Sequence, residues 1–137
     1  MIIRSVDLGK ARTGLAVCDK MEMLATPLAQ INEKNMDNLL EKVANVALAH
    51  EVEMIIVGLP KNMDGTEGES AKNARDFAAK LKEKTKLLVR MQDERGTTIT
   101  AHKYLNATNT RGMKRKNVVD SVAATIILQN FLDSRNH

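Results

Sequence analysis

The chain opens on two short apolar runs, MIIRSVDL and TGLAVCD, separated by a turn containing Gly9 and Gly14. That spacing predicts a β-hairpin with a longer loop. MLATPLAQI, residues 23–31, predicts a third strand, and Pro27 points it to a sheet edge because proline cannot donate to a ladder. From Met36 the period changes: Met36, Leu39, Leu40, Val43, Val46 and Ala47 fall at the i, i+3, i+4, i+7 spacing of a helix. EMIIVGLP then runs apolar without a break to Gly58 and Pro60, the pattern of a strand buried on both faces.

KNMDGTEGES, residues 61–70, is a polar loop rich in turn formers, and Ala71, Ala74, Phe77, Ala78 and Leu81 mark a second amphipathic helix. LLVRMQ predicts another strand, ended by DERGTT. Thr97 or Thr98 can cap a short helix carrying Ile99, Tyr104 and Leu105, and a basic segment then leads into a last helix, VVDSVAATIILQNFL. The order βββαβαβαα predicts an α/β fold. Three antiparallel strands followed by helix-linked parallel strands make a mixed five-stranded sheet with helices on both faces, an order that the ribonuclease H-like fold has and that periodicity alone does not separate from other α/β folds.

A length of 137 residues, 43% hydrophobic and without internal repeats, suits one domain over 1–137. The longest apolar run is interrupted by Asp120, Ser121, Thr125 and Gln129 and falls short of the roughly 20 residues of a membrane span, so no membrane partner is expected. The N-terminus begins directly with a strand pattern, and the lone Cys18 cannot form an internal disulfide; both point to the cytoplasm. Cys18 follows Val17 in an apolar run and reads as a packed core thiol rather than a nucleophile. His50, His102 and His137 show no metal-ligand spacing.

The net charge of +4 is modest, but its distribution is not even. TRGMKRKN, residues 110–117, carries Arg111, Lys114, Arg115 and Lys116 without a balancing acid, a loop that attracts phosphates or, on the plainer reading, a solvated basic face. Two Phe and one Tyr leave few rings for base stacking, so a nucleic acid would be held mainly by its backbone.

Phosphodiester cleavage needs carboxylates brought together to hold one or two divalent cations, Mg²⁺ or Mn²⁺. Asp7 ends the first strand beside a glycine, where a carboxylate can face an open site; the alternative is an aspartate bonded to its own turn. Asp93 and Glu94 stand at the mouth of a later strand. Like charges ~4 Å apart at an effective dielectric of ~20 repel by about 4 kcal/mol, so Arg95 or a metal must balance them. Neighbours on an extended segment face opposite ways, so one of the two points into the site, and parity leaves open which. Asp120 sits among apolar residues of the last helix, either as a third ligand or as the N3 member of a capping box behind Asn117.

Taken together, VDLGKARTGLAVCD, IIVGLPKNMDGTEG, DERGTT and VVDSVAATIILQNFLD resemble the YqgF/RuvX family, relatives of the RuvC-type Holliday-junction resolvases with a ribonuclease H-like fold. The match runs nearly end to end. The resemblance implies a metal-dependent nuclease that matures the 5′ end of pre-16S ribosomal RNA, with resolution of branched DNA junctions as the alternative. By matching position, the catalytic and metal-holding acids are Asp7, Asp93 or Glu94, and Asp120. Lys61, Asn62, Asp64 and Gly65 then flank the site, Arg12 and Arg95 face phosphate, and the 111–116 segment grips the backbone.

The chain departs from the family's pattern at Lys10 and Ala11, where a threonine and a basic residue are common, and at Gly96, where leucine is usual. The acids survive both changes. Actin-like sugar kinases and chaperone ATPases share the D-x-G hairpin but close two such domains on a nucleotide, and 137 residues offer one. A non-catalytic RNA-binding module is the remaining reading, against which the retention of every candidate acid weighs. A monomer or weak homodimer is expected.

Overall fold

The computed structural model describes residues 1–94 and 112–135, with side chains for 1–94 and 121–135. The expected hairpin forms between β1 (Ile3–Asp7) and β2 (Arg12–Cys18), in register Arg4↔Val17 to Asp7↔Gly14. Gly14 therefore belongs to β2, opposite Asp7, and Gly9 alone of the two lies in the turn. A side chain at Gly9 would run into the carbonyl of Arg12, so the turn closes only around a glycine. β3 (Ala25–Asn32) pairs antiparallel with β2 and takes the edge that Pro27 requires.

Asn35 starts α1 (Met36–Ala49), its side chain accepting from the Asn38 amide at 3.0 Å. Leu39, Val43 and Ala47 of the expected stripe are buried, but Met36 is 43% exposed. β4 (Met54–Leu59) is buried along its whole length and lies parallel between β1 and β5 (Leu88–Asp93), with α2 (Glu69–Thr85) as the crossover. The sheet order is β3-β2-β1-β4-β5. On one face Val6, Leu15, Ile55 and Val57 pack against α1 and α2; on the other Ile3, Ala16 and Ile56 pack against α3 (Gly112–Arg135). Helices on both faces of a mixed five-stranded sheet are as the sequence predicts.

The polar residues that interrupt the last apolar run tie α3 to the sheet. Ser121 Oγ donates to the Leu28 carbonyl at 2.9 Å, and Gln129 accepts from the Ala25 amide at 2.9 Å while donating to the Met23 carbonyl at 3.0 Å. In return Ser5 Oγ donates to the Ala124 carbonyl at 2.7 Å. Among the described residues no helix is long and apolar enough to cross a membrane.

Two expectations need correction. The basic segment is not a loop: residues 112–116, including Lys114, Arg115 and Lys116, form the first turns of α3. Asn117 consequently is not an N-cap and Asp120 is not at N3; the helix begins at Gly112, six residues before Val118, because Met, Lys and Arg are strong helix formers and nothing in the segment stops propagation from the apolar turns. The last strand runs to Asp93 rather than ending at Gln92. The short helix expected near Thr97 to Leu105 lies outside the described residues, as do Arg95 and Arg111.

Candidate active site

Asp7, at the C-terminal end of β1, is positioned by alternation. Ile3 packs against α3 and Ser5 bonds it, so Asp7, two residues further, looks to the same face. Gly14 stands directly opposite and puts no side chain over it. Alternation along β2 brings Arg12 to this face as well, since Ala16 and Cys18 pack there.

The ambiguity between Asp93 and Glu94 is resolved by register. Val57 pairs with Met91 and Leu59 with Asp93, and Val89 and Met91 pack with the α1/α2 core. Asp93 continues that parity, whereas Glu94 turns to the α3 face. The Glu94 amide donates to the Leu59 carbonyl at 3.2 Å, holding the residue at the mouth of β4. Its carboxyl is hydrogen-bonded to that of Asp7. The two acids, 87 positions apart in the chain, thus meet at the C-terminal ends of parallel strands.

Burial pushes the Glu94 carboxyl above the ordinary carboxylate range; the charge of Asp93 adds to this, and the bond from Asp7 works the other way. Two carboxyls in hydrogen-bond contact require a proton between them, and a divalent cation can take that proton's place. The donor set therefore fits a hard cation. Among the described residues no group of three or more His, Cys, Asp or Glu forms a metal cluster. Asp120 is placed by its backbone: it lies one turn before Ala124, whose carbonyl accepts from Ser5. As α3 runs antiparallel to β1, one helical turn of about 5.4 Å and two strand residues of about 6.6 Å set Asp120 level with Asp7.

Gly58 is the position that sequence reasoning passed over. A side chain there would meet the Glu94 carboxylate and, at 2.9 Å, Ile127 Cδ1. Its only signal was a glycine closing an otherwise apolar strand.

The loop after β4 is internally bonded. Asn62 Nδ2 donates to Thr66 Oγ1 at 2.9 Å, Asp64 accepts from the Thr66 amide at 2.9 Å, and Gly65 takes φ of 91°. Lys61 and Glu67 pair through their backbones as an isolated antiparallel β-bridge. Asn62 thus organises the loop, and Lys61 remains half-buried at its base. Cys18 is a core thiol, as expected: it is buried, it accepts from the Ile3 amide at 3.2 Å, and burial raises its pKa.

Known proteins resemble this chain along nearly its whole length. The family model described as "RuvX: Holliday junction resolvase" matches residues 1–134. A protein of Clostridium novyi (strain NT) named "Putative pre-16S rRNA nuclease" is 37% identical over 134 residues, covering 98% of this chain and 99% of that one. The fowlpox virus resolvase, solved with Holliday-junction DNA, superposes with a TM-score of 0.65 at 13% identity over all of both chains. RuvC of T. thermophilus, also solved with a Holliday junction, gives 0.61 at 14% identity over 99% of this chain and 96% of that one. At such low identity these two structures speak for the fold alone.

Proposed function

The chain belongs to the RuvX family, and from that premise we propose that it hydrolyses phosphodiester bonds in structured RNA, at the 5′ end of the 16S ribosomal precursor. The observation that carries this reading is the meeting of the Asp7 and Glu94 carboxyls at the strand ends. Asp7, Glu94 and Asp120 would hold Mg²⁺ or Mn²⁺, with Asp93 nearby adding negative charge. When bound, such a cation would supply Lewis acidity and lower the pKa of water at the site. The chain's own residues do the rest: β1 and β5 fix the two acids against α3, Arg12 faces the phosphate from β2, and Lys114, Arg115 and Lys116, with Arg95 and Arg111, draw in the backbone. We place the reaction in the cytoplasm, carried out by a monomer or weak homodimer.

The test is Mn²⁺-dependent cleavage of a 5′-extended 16S precursor RNA and of a four-way DNA junction side by side, with wild type and Asp7→Asn. Cleavage of the RNA alone, abolished by the substitution, supports the proposal. Cleavage of the junction alone overturns the substrate class in favour of resolvase chemistry. RNA that binds but is never cut identifies a non-catalytic module.

A further inference from the structure

On the other side of Glu94 lies a cavity of about 270 Å³, at the ends of β1 and β4 and between the first turns of α1 and α2. Gly58 and the Glu94 side chain both line it, and Glu94 fits there because Gly58 has no Cβ to meet its carboxylate. Its walls differ in chemistry. Leu8 and Met36 line it with apolar surface, Lys10 and Lys34 with positive charge, and Asn73 with an amide that both donates and accepts. Neither lysine has an ion-pair partner among the described residues. The exposure of Met36, a member of the helical stripe that ought to be buried, is explained by its position on this wall.

We propose that this cavity holds one unpaired nucleotide of the RNA next to the scissile phosphate, its phosphate on Lys10 and Lys34 and its base against Leu8 and Met36 with the edge on Asn73. The proposal rests on reading the acids as the cutting site. Size limits the occupant: the volume falls just under the roughly 300–1,000 Å³ of pockets for drug-sized ligands, enough for a single nucleotide and too little for a base pair. Charge sets its direction. A neighbouring cavity of about 190 Å³ shares Met36 and Asn73 but carries Asp37 and Asp76 against the single Lys80, a balance that disfavours a phosphate backbone. The base therefore points inward and the backbone stays at the lysines. A paired nucleotide would have to leave its stack to enter, so the enzyme selects RNA that is single-stranded at the cut.

Backbone amide shifts of the isotopically labelled protein, titrated separately with adenosine 5′-monophosphate and with adenosine, test this without requiring cleavage. The expected result is saturable shifts at Met36 and Asn73, equal in wild type and Asp7→Asn. Lys10→Ala/Lys34→Ala should weaken the monophosphate by about tenfold and leave adenosine unchanged. That pattern in a protein that cuts no RNA would sink the nuclease reading and keep the pocket. Absence of shifts at these amides at millimolar monophosphate, or equal monophosphate affinity in the double variant, would overturn the pocket whatever the cleavage result.

Discussion

Gly58→Ala tests the geometry of the acid pair through a single methyl group. The new Cβ meets the Glu94 carboxylate and lies 2.9 Å from Ile127 Cδ1. Ile127 is fully buried in the α3 core and has nowhere to go, so Glu94 must move. Overpacking of this kind costs about 1–3 kcal/mol, a fall in Tm of roughly 3–12 °C for a domain of this size. Displacing a catalytic group by about 1 Å costs on the order of 10²-fold in rate. The assay is single-turnover cleavage of the precursor RNA at a temperature well below the variant's Tm, with circular dichroism to show that the sheet is intact. Gly68→Ala is the control, because a Cβ there has nothing within 4 Å. As Gly68 is the N-cap of α2, that change should cost no more than about 1 kcal/mol and leave the rate alone. A Gly58→Ala protein that cuts at the wild-type rate would show that the position of Glu94 is irrelevant to catalysis.

Three further outcomes are expected. Arg115→Ala/Lys116→Ala should weaken RNA binding alike for all sequences and lower the slope of log K against log salt by about 0.7 for each phosphate no longer neutralised; an unchanged slope removes the start of α3 from the interface. Arg4, 5% exposed, buries Nε and Nη1 without a partner among the described residues, and burial lowers its pKa; Arg4→Met should stabilise the fold by about 1–4 kcal/mol in urea titration, and a loss of stability would mean the guanidinium has a role in holding the fold. Asp19, Glu33 and Glu67 have carboxyls held below their ordinary range by the Met23 amide, Lys42 and Arg75 respectively. Because a lowered folded pKa gives stability above the unfolded value and loses it as pH falls through the folded one, the urea midpoint should drop between about pH 6 and about pH 3; a flat midpoint contradicts these pairings.

Periodicity made most of the architecture legible. The switch from alternating to helical spacing at Met36 marks the start of α1, and the unbroken EMIIVGL run marks β4, because a strand covered on both faces has no reason to carry polar residues. The start of α3 was not legible from the apolar stripe, since Lys114, Arg115 and Lys116 extend the helix by propensity while contributing nothing to hydrophobic patterning. Asp7 was legible because a carboxylate at a strand end beside a glycine is a local feature. Glu94 was not separable from Asp93, since its direction follows from the Leu59↔Asp93 register, a relation between two strands.

The same limit hid the cavity. Lys10, Lys34 and Asn73 come from a hairpin turn, the approach to α1 and the first turns of α2, and no spacing in the chain relates them. What relates them is the parallel pairing of β1 with β4, which brings the first turns of both helices to the strand end where Asp7 stands. Parallel sheets collect ligands outside the carboxyl ends of their strands because loops and helix starts converge there. In this chain the α3 face of that end carries Asp7 and Glu94 and the α1/α2 face carries Lys10 and Lys34, with Gly58 between them. A strand of RNA laid across this end would meet the Asp7 and Glu94 carboxylates on one side and the two lysines on the other. This polarity orients the scissile phosphate toward Asp7 and Glu94 and its neighbour toward Lys10 and Lys34, and leaves Asn73 as the one group of the cavity that meets a base edge.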